Sequence, residues 1–335
     1  MERRTDENDG PIERKVQVTG GSTYTVSIPK TWADTRGIGS GSSVYMYPFD
    51  DRLIVAQPNG SSSSRQARIN IETAGQEKLG GQIEAAYAAG SDEILIESDT
   101  TFSTSERRAA SQAITSLVGM EIATETEHEL TAKTLLDSTE VSLDGTINQI
   151  RGIALSMHEN AVKAVLGDDE GMDPEHIISR DDEVDRLFAL VSRQFYRILT
   201  DIREVSQLKE DRRTAFTQFR TARQLERIAD HAERIADVAV KQTEPLDPEI
   251  GSEFETLATE ARRVVRTALD GNAGEAILRR DDVVERLDDL DRRLYDSEGK
   301  SVYLHGRMLE SIRRTAEYGG NIAEITTLSE MTDHT

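Results

Sequence analysis

The stretch Leu225–Asp237, which reads LERIADHAERIAD, combines an apolar repeat with a run of acids. Its apolar residues recur every three or four positions, which predicts an α-helix with one face packed on a core. At about 100° per residue, an acidic strip falls within a neighbouring sector of roughly 60°. The acidic strip consists of Glu226, Asp230, Glu233 and Asp237. Because like charges at these spacings repel each other, either arginines neutralise the strip, or a cation binds it, or it is a hydrated surface.

The chain beyond about residue 143 is helical in pattern and repeats itself. RDDEVDRL at 180–187 recurs as RDDVVERL at 280–287, and LERIADHAERIAD recurs more weakly as IRRTAEYGGNIAE at 312–324. The repetition predicts two three-helix units. Their helices are expected near 143–167, 174–203 and 212–242, and then near 251–270, 274–298 and 302–330.

The second copy keeps a thinner version of the acidic strip. Glu317 takes the place of Asp230, and Glu310 precedes it by one heptad on the same sector. Arg313, however, stands where Glu226 stood in the first copy. The sequence therefore leaves a second cation site in doubt.

Antiparallel packing adds acids from the preceding helix. If a short turn near 204–211 joins the second and third helices of the first copy, Asp185 and Asp182 lie level with Asp230 and Glu233. Such a cluster of oxygen ligands suits hard cations such as magnesium, manganese or iron. The alternative is that neighbouring arginines form ordinary surface salt bridges, each contributing at most about 1 kcal/mol.

The helical half, from about 140 to 330, resembles the PhoU family of phosphate-uptake regulators. The resemblance is carried by the two three-helix repeats and by LERIADHAERIA, in which an acid is followed four positions later by Asp. In that family these positions bind metal ions, often as multinuclear iron or zinc clusters. The resemblance implies a metal site at Glu226 and Asp230, with iron, zinc, manganese or magnesium as the ion. His231 beside them is expected at the helix edge and not as a ligand.

Residues 14–57 have a different character. Short alternating runs separated by Gly, Ser and Asp-Asp predict β-hairpins. With VSIPK, a short helix through Trp32 and GIGSGSSV, the segment resembles the SpoVT/AbrB-type swapped-hairpin barrel, whose members interleave as dimers and bind DNA. Between Arg14 and Val44 the net charge is +3, within a chain of net charge -22. A basic island suits phosphate contact, and the predicted DNA-binding residues are Arg14, Lys15, Lys30 and Arg36. The alternative is a module that only dimerises.

Composition constrains the cellular location of the protein and the chemistry that its side chains can perform. The 335-residue chain has no cysteine, which excludes disulfides and thiolate ligands. No stretch approaches the roughly 18 apolar residues of a membrane span, so we expect a cytoplasmic protein without membrane insertion. Its charge of -22 with only 8 lysines suggests a host that lives in high salt, where repulsion is screened. We expect no enzyme, because no phosphate loop, Ser/His/Asp set or paired-histidine metal site is visible.

The predicted fold is multidomain: a small swapped-hairpin β-barrel, a central α/β unit and all-α tandem three-helix bundles of PhoU type. A polar linker begins at Pro58. The α/β unit has no motif that identifies a ligand. The predicted domains are 1–58 for dimerisation and DNA binding, 66–138 for the α/β unit, 140–242 for the first helical repeat and 250–331 for the second.

Two functions fit this organisation. The first is a cytoplasmic regulator of phosphate uptake that binds metal on the acidic helices and holds DNA with an N-terminal dimer. The second is a PhoU-type accessory protein that acts by protein contacts on the ATPase of a phosphate ABC transporter or on a sensor kinase. In the second case the N-terminal domain only dimerises, as a homodimer or higher oligomer.

Overall fold

The computed structural model describes seven stretches of the chain: 11–49, 52–57, 65–136, 141–168, 173–208, 211–295 and 302–333. Two predicted features lie outside the described residues: the linker from Pro58 and the hairpin turn at Asp50-Asp51. The chain divides into two compact units, Met1–Ser63 and Ser64–Thr335. The expected fold class is confirmed: a small region of strands is followed by a sheet unit and then by a mostly helical region.

The first unit contains two antiparallel β-ribbons and one short helix. Strands β1 (Gln17–Thr19) and β2 (Thr23–Thr25) form the first ribbon, in which Val18 pairs with Tyr24. Helix α1 (Lys30–Thr35) follows Pro29, whose fixed φ suits the position before a first turn. Strands β3 (Tyr45–Phe49) and β4 (Arg52–Ala56) form the second ribbon. None of the side chains that the structure describes in this unit is buried.

The second unit begins with a four-stranded mixed sheet in the order β5-β6-β8-β7. Strand β5 pairs in parallel with β6, whereas β8 is antiparallel to both of its neighbours. Two helices cover its core, which includes the fully buried Ile83, Ile94 and Ile114. The elements are β5 (Gln66–Asn70), α2 (Ile71–Ala74), a 3-10 turn, α3 (Leu79–Ala88), β6 (Glu93–Glu97), α4 (Thr104–Thr115), β7 (Met120–Glu125) and β8 (Glu129–Thr134).

In the described residues from 141 onward, eight helices share one apolar core. Those of the first repeat are α5 (Leu143–Leu166), α6 (Pro174–Ser179), α7 (Asp181–Thr200), α8 (Ile202–Leu208) and α9 (Arg212–Lys241). Those of the second are α10 (Pro248–Leu269), α11 (Ala273–Tyr295) and α12 (Val302–Asp333). Within the described part of the chain, no helix is both long enough and apolar enough to cross a membrane.

The second helix of the first repeat differs from the single helix expected near 174–203. It is divided at Arg180 and again at Asp201, where the backbone turns to an extended ψ of 118°. The connection expected as a short turn near 204–211 contains α8 instead. Glu204 on α8 accepts hydrogen bonds from Arg197 on α7, which holds the added helix against its neighbour.

Helix α7 is shared between the α/β core and the helical core. Ala189 belongs to the apolar cluster of the α/β unit, whereas Val191 and Phe195 belong to the helical cluster. Arg193 on the same helix is 3% exposed and donates to the Ser91 carbonyl and to Asp92 of the α/β unit. This buried cation ties the sheet unit to the helix that also carries Asp181 and Asp185.

Candidate metal centre

Three carboxylates from two antiparallel helices meet at one point. Asp181 and Asp185 occupy the first two turns of α7 on one face, and Asp230 lies in the second half of α9. One ligand oxygen from each of them lies within 4.8 Å of the others. The structure thus confirms that Asp185 lies level with Asp230, as equal rise along antiparallel helices predicts. We call these three residues, with Glu226 and Glu233, the carboxylate cluster.

Burial and mutual repulsion raise the pKa values in the carboxylate cluster above those usual for Asp and Glu. Desolvation, followed by repulsion from Asp185 and Asp230, raises the pKa of Asp181 to about 7. Desolvation, followed by repulsion from Asp230, raises the pKa of Asp185 to about 6, although Asp185 is more exposed than Asp181 and Asp230. The pKa of Glu226 rises to about 7, chiefly through burial, while Arg223 opposes the rise. A cation at this point would offset both causes, because it replaces lost hydration and screens like charges.

Two oxygens of the carboxylate cluster are buried without a partner. Oδ1 of Asp181 and Oε2 of Glu226 have no hydrogen-bond partner among the described residues. The other oxygen of Glu226, Oε1, accepts from Arg223 Nη1 at 2.8 Å. Leaving a buried acceptor unpaired costs about 1 to 3 kcal/mol. An all-oxygen set with two unused acceptors therefore has the chemistry that a hard divalent cation prefers.

The remaining predicted acids of this repeat lie around the cluster. Burial first, and repulsion by Asp230 second, raise the pKa of Glu233. Asp182 is exposed and is absent from the group of three with close ligand atoms. It lines a cleft of about 510 Å³ between α7 and helices α3 and α4, together with Asp185 and Glu84. The cluster thus opens toward the α/β unit.

Asp237, the last member of the acidic strip, does not join the carboxylate cluster. Its Oδ2 accepts from Lys241 at 2.7 Å and from Arg307 at 3.0 Å. These bonds lower its pKa, the Lys241 bond contributing most. One end of the strip is therefore an ordinary set of ion pairs, whereas the rest is a candidate metal site.

Comparison with known proteins identifies the helical region. The sequence profile of the PhoU domain matches residues 147–239, which include α7 and α9. The Synechocystis protein named "Phosphate-specific transport system accessory protein PhoU homolog" is 30% identical over 166 residues, covering 45% of this chain and 71% of its own. The chain belongs to the PhoU family. A crystal structure of the phosphate transport system regulatory protein PhoU from Streptococcus pneumoniae aligns with 56% of this chain and 93% of its own, at 17% identity and a TM-score of 0.44.

The N-terminal unit has its own match. A profile described as "Antidote-toxin recognition MazE, bacterial antitoxin" covers residues 17–64. The chain is therefore a PhoU family member with an N-terminal unit of MazE/AbrB type, as the sequence suggested. The predicted DNA-binding side chains Arg14, Lys15, Lys30 and Arg36 are all exposed. Their role in DNA binding stays a prediction.

The second helical repeat has arginines at the corresponding place. Arg313 is bound by Asp288 at 2.6 Å and by Glu310 at 3.5 Å. Arg314 donates to Glu310 at 2.7 Å and to Glu317 at 2.9 Å. Both predicted acids of this repeat are thus paired with guanidinium groups, and the described residues give them no place in a carboxylate cluster. Ion pairs between arginines and acids therefore occupy the acidic strip of the second repeat.

A groove of about 640 Å³ marks the equivalent position in the second PhoU repeat. Asp281 and Glu285, which correspond to Asp181 and Asp185, line it together with Glu317. Arg280 also lines it and contacts Asp281 at 2.8 Å. Arginine side chains therefore supply the positive charge in this groove.

Asp181 is the residue of the carboxylate cluster that sequence reasoning missed. Its place is predictable from the apolar repeat of α7: Val184 and Phe188, three and seven positions later, face the core. Extending that face by one turn reaches Asp181 and not Asp182. His231, expected at the helix edge, is instead buried between the repeats, where its Nδ1 lies 3.3 Å from Ser311 Oγ. Desolvation lowers its pKa to about 4, so it is a neutral packing residue.

Proposed function

We propose that this chain regulates phosphate transport through a metal-loaded first PhoU repeat, and that its N-terminal unit dimerises and binds DNA. The observation that carries the proposal is the carboxylate cluster within the segment that matches the PhoU domain. The name of the Synechocystis relative supports phosphate transport as the regulated process. The site of action is proposed to be the cytoplasm.

The donor set fits a hard divalent cation. Asp181, Asp185 and Asp230 would hold the ion, and the unpartnered oxygen of Glu226 is the fourth candidate ligand. Oxygen-only donors favour magnesium, manganese or iron over zinc, which prefers nitrogen and sulfur. The bound ion would supply the positive charge that the cluster lacks, and it would hold α7 and α9 at this point. Metal loading would thereby couple ion availability to the shape of the repeat.

Elemental analysis of the purified chain tests the metal site. We expect stoichiometric iron, manganese or magnesium in the wild type, and its loss in a Glu226→Gln/Asp230→Asn variant that stays folded by circular dichroism at high salt. The matched control is Glu310→Gln/Glu317→Gln in the second repeat, which should retain the metal. Equal metal content in all three proteins would place the ion elsewhere. If none of the three proteins contains metal, the carboxylate cluster is an acidic surface without a bound ion.

A dimer of the N-terminal unit is supported by its exposed apolar side chains. Val18, Tyr24, Val26, Tyr45 and Met46 are each more than half exposed, which is unusual for five large side chains in so short a segment. A second copy that covers them would supply the core that the isolated unit lacks. The midpoint of thermal unfolding of this unit should therefore rise with protein concentration.

DNA binding separates the two candidate functions. With duplex DNA from upstream of the chain's own gene, we expect binding that is lost when Lys15, Lys30 and Arg36 become alanine. A shallower salt dependence should accompany partial loss, because each phosphate contact releases counterions. Binding unaffected by these substitutions, or no binding, would favour the second candidate. In that case the chain would act on a transporter ATPase or sensor kinase by protein contacts, and the N-terminal unit would only dimerise.

A further inference from the structure

The first half of α9 has a charge that is unusual for this chain. From Arg212 to Leu225 it contains four arginines and no acid, although the whole chain has a net charge of -22. Two of the arginines, Arg212 and Arg213, lie in the first helical turn, where no acid is present. Cations at a helix N-terminus oppose the helix dipole. The N-cap carboxylate of Asp211 offsets one of these two charges, so local helix stability does not account for the whole arrangement.

An aromatic ladder underlies these arginines. The ring of Phe219 stacks on Phe195 with centroids 4.6 Å apart and on Phe188 at 5.8 Å. Phe195 in turn contacts the rings of Tyr196 and Phe216. Four of the seven phenylalanines in the chain thus meet at this one place. The ladder holds its outer rings in fixed positions.

The outer end of the ladder is exposed. Phe216 is 47% exposed and Tyr196 is 44% exposed, and Leu199 follows Tyr196 by one turn of α7 at 41%. The Arg220 guanidinium lies 5.6 Å from the centre of the Phe216 ring, and no carboxylate within the described stretches forms an ion pair with it. Arg212 donates to the Ile198 carbonyl and so stays beside the end of α7. We call this surface the arginine-aromatic patch: Tyr196, Leu199, Arg212, Arg213, Phe216 and Arg220.

We propose that the arginine-aromatic patch docks an acidic segment of a partner protein that presents apolar side chains. Tyrosine, phenylalanine and arginine are the side chains enriched at protein interfaces, and a preformed aromatic anchor lowers the entropy cost of binding. The three arginines of the patch favour an acidic partner by charge complementarity. This surface does not depend on the metal site, and its partner chemistry is new to the regulatory proposal above.

Two other occupants fit the patch less well. A second copy in two-fold symmetric contact would place arginines against arginines, because such an interface pairs the same surface with itself. A nucleic acid gains its affinity from many phosphate contacts, whereas the patch offers three arginines. The exposed Phe216, Tyr196 and Leu199 between them suit apolar side chains better than a phosphate backbone. The acidic, apolar-bearing segment avoids both difficulties.

Fluorescence anisotropy with a labelled peptide tests the patch. The probe is a helical peptide of about 20 residues with Leu and Phe on one face and Glu and Asp on the other. A control peptide carries Lys in place of every acid. Full-length protein should bind the acidic peptide with a dissociation constant that rises with salt, and should not bind the basic peptide. The Phe216→Ala/Arg220→Glu variant should bind at least about tenfold more weakly.

The matched control variant is Tyr303→Ala/Arg292→Glu. Tyr303 is 74% exposed, and the Arg292 side chain is equally exposed. Tyr303 lies away from the patch, because the nearby Arg307 contacts Asp237 at the opposite end of α9. This variant should bind the peptide within about twofold of the wild type. Equal affinities for both variants, or no saturable binding, would overturn the proposal. Binding of single-stranded DNA that is tighter than binding of the acidic peptide, and that only Phe216→Ala/Arg220→Glu loses, would assign the patch to nucleic acid instead. Self-association in sedimentation that only this variant loses would assign the patch to a second copy.

Discussion

Arg223 contacts Glu226 of the carboxylate cluster and the aromatic ladder at the same time. Its Nη1 donates to Glu226 Oε1 at 2.8 Å, and its guanidinium carbon lies 5.2 Å from the centre of the Phe188 ring. The arginine therefore favours the ionised form of Glu226, against the effect of burial, but also places a fixed positive charge beside the proposed ion. Which of these effects is larger decides how tightly the site binds metal.

Replacing Arg223 with glutamine should tighten the binding of Mn²⁺ by roughly tenfold at pH 8, where protons compete little. Repulsion between the guanidinium and a divalent ion then disappears, and the bound ion itself favours the ionised form of Glu226. Isothermal titration calorimetry measures the change. Arg227→Gln is the graded control, since Arg227 affects Glu226 less than Arg223 does and contacts the ring of Tyr318. Weaker binding by Arg223→Gln would mean that the arginine chiefly positions Glu226.

Stability against pH provides a second check on the cluster. The folded pKa values of Asp181 and Glu226, both about 7, exceed the values near 4 of an unfolded chain. Between these limits the folded protein binds more protons than the unfolded chain, so these groups lower the free energy of unfolding as the pH rises from about 4 to about 7. Below that window their penalty is absent, and above it the penalty is complete.

The double variant Asp181→Asn/Glu226→Gln isolates this contribution. In chelator and high salt, it should unfold at the same temperature as the wild type near pH 4 and several degrees higher above about pH 7.5. Thermal unfolding followed by circular dichroism measures the difference at each pH. Added Mn²⁺ should reverse the order at pH 8, because only the wild type gains binding energy. A difference that does not change with pH would show that the two carboxyl groups do not titrate as described.

The repeat and the periodicity made most of the helical fold predictable. Six of eight residues in RDDEVDRL recur in RDDVVERL, and the apolar spacing places the long helices within a few residues of their observed ends. The break at Asp201 was not predictable, because Arg197 and Glu204 stabilise it by a contact that forms only in the folded chain. Local sequence carries little information about such tertiary contacts.

The sequence predicted which two helices form the candidate site, but not every residue that belongs to it. Helical geometry brought Asp185 beside Asp230 correctly, since rise per residue is the same in both helices. It did not separate Asp237 from the cluster. One cation at Asp237, Lys241, lies four positions later on the same helix, but the other, Arg307, comes from α12, 70 positions away. The filling of the second site by Arg313 also depends on a partner, Asp288, on another helix.

The buried Arg193 provides a test of the contact between the α/β unit and α7. Its guanidinium also lies over the ring of Tyr87, 5.0 Å from the centroid. Arg193→Met keeps most of the side-chain volume but removes the donor to the Ser91 carbonyl and leaves Asp92 with Arg197 as its arginine partner, which should cost about 2 kcal/mol. Urea unfolding measures the loss, and hydrogen exchange should increase in β6. The control Arg107→Met, which breaks a more exposed pair with Glu125, should cost less than about 1 kcal/mol.

Two glycines on α12 provide a matched pair for the packing between the repeats. A methyl group at Gly319 would lie 2.8 Å from Cγ1 of Val264 and 3.0 Å from the backbone nitrogen of Val265, so α10 would have to shift. Gly319→Ala should therefore lower the free energy of unfolding by roughly 1 to 3 kcal/mol. At Gly306, where nothing lies within 4 Å of the added atom, alanine should raise it by about 0.5 to 1 kcal/mol through helix propensity. Both values come from urea unfolding of the full chain. The same sign for the two variants would mean that α10 and α12 pack less closely than the structure shows, because only the contact with Val264 and Val265 distinguishes the sites.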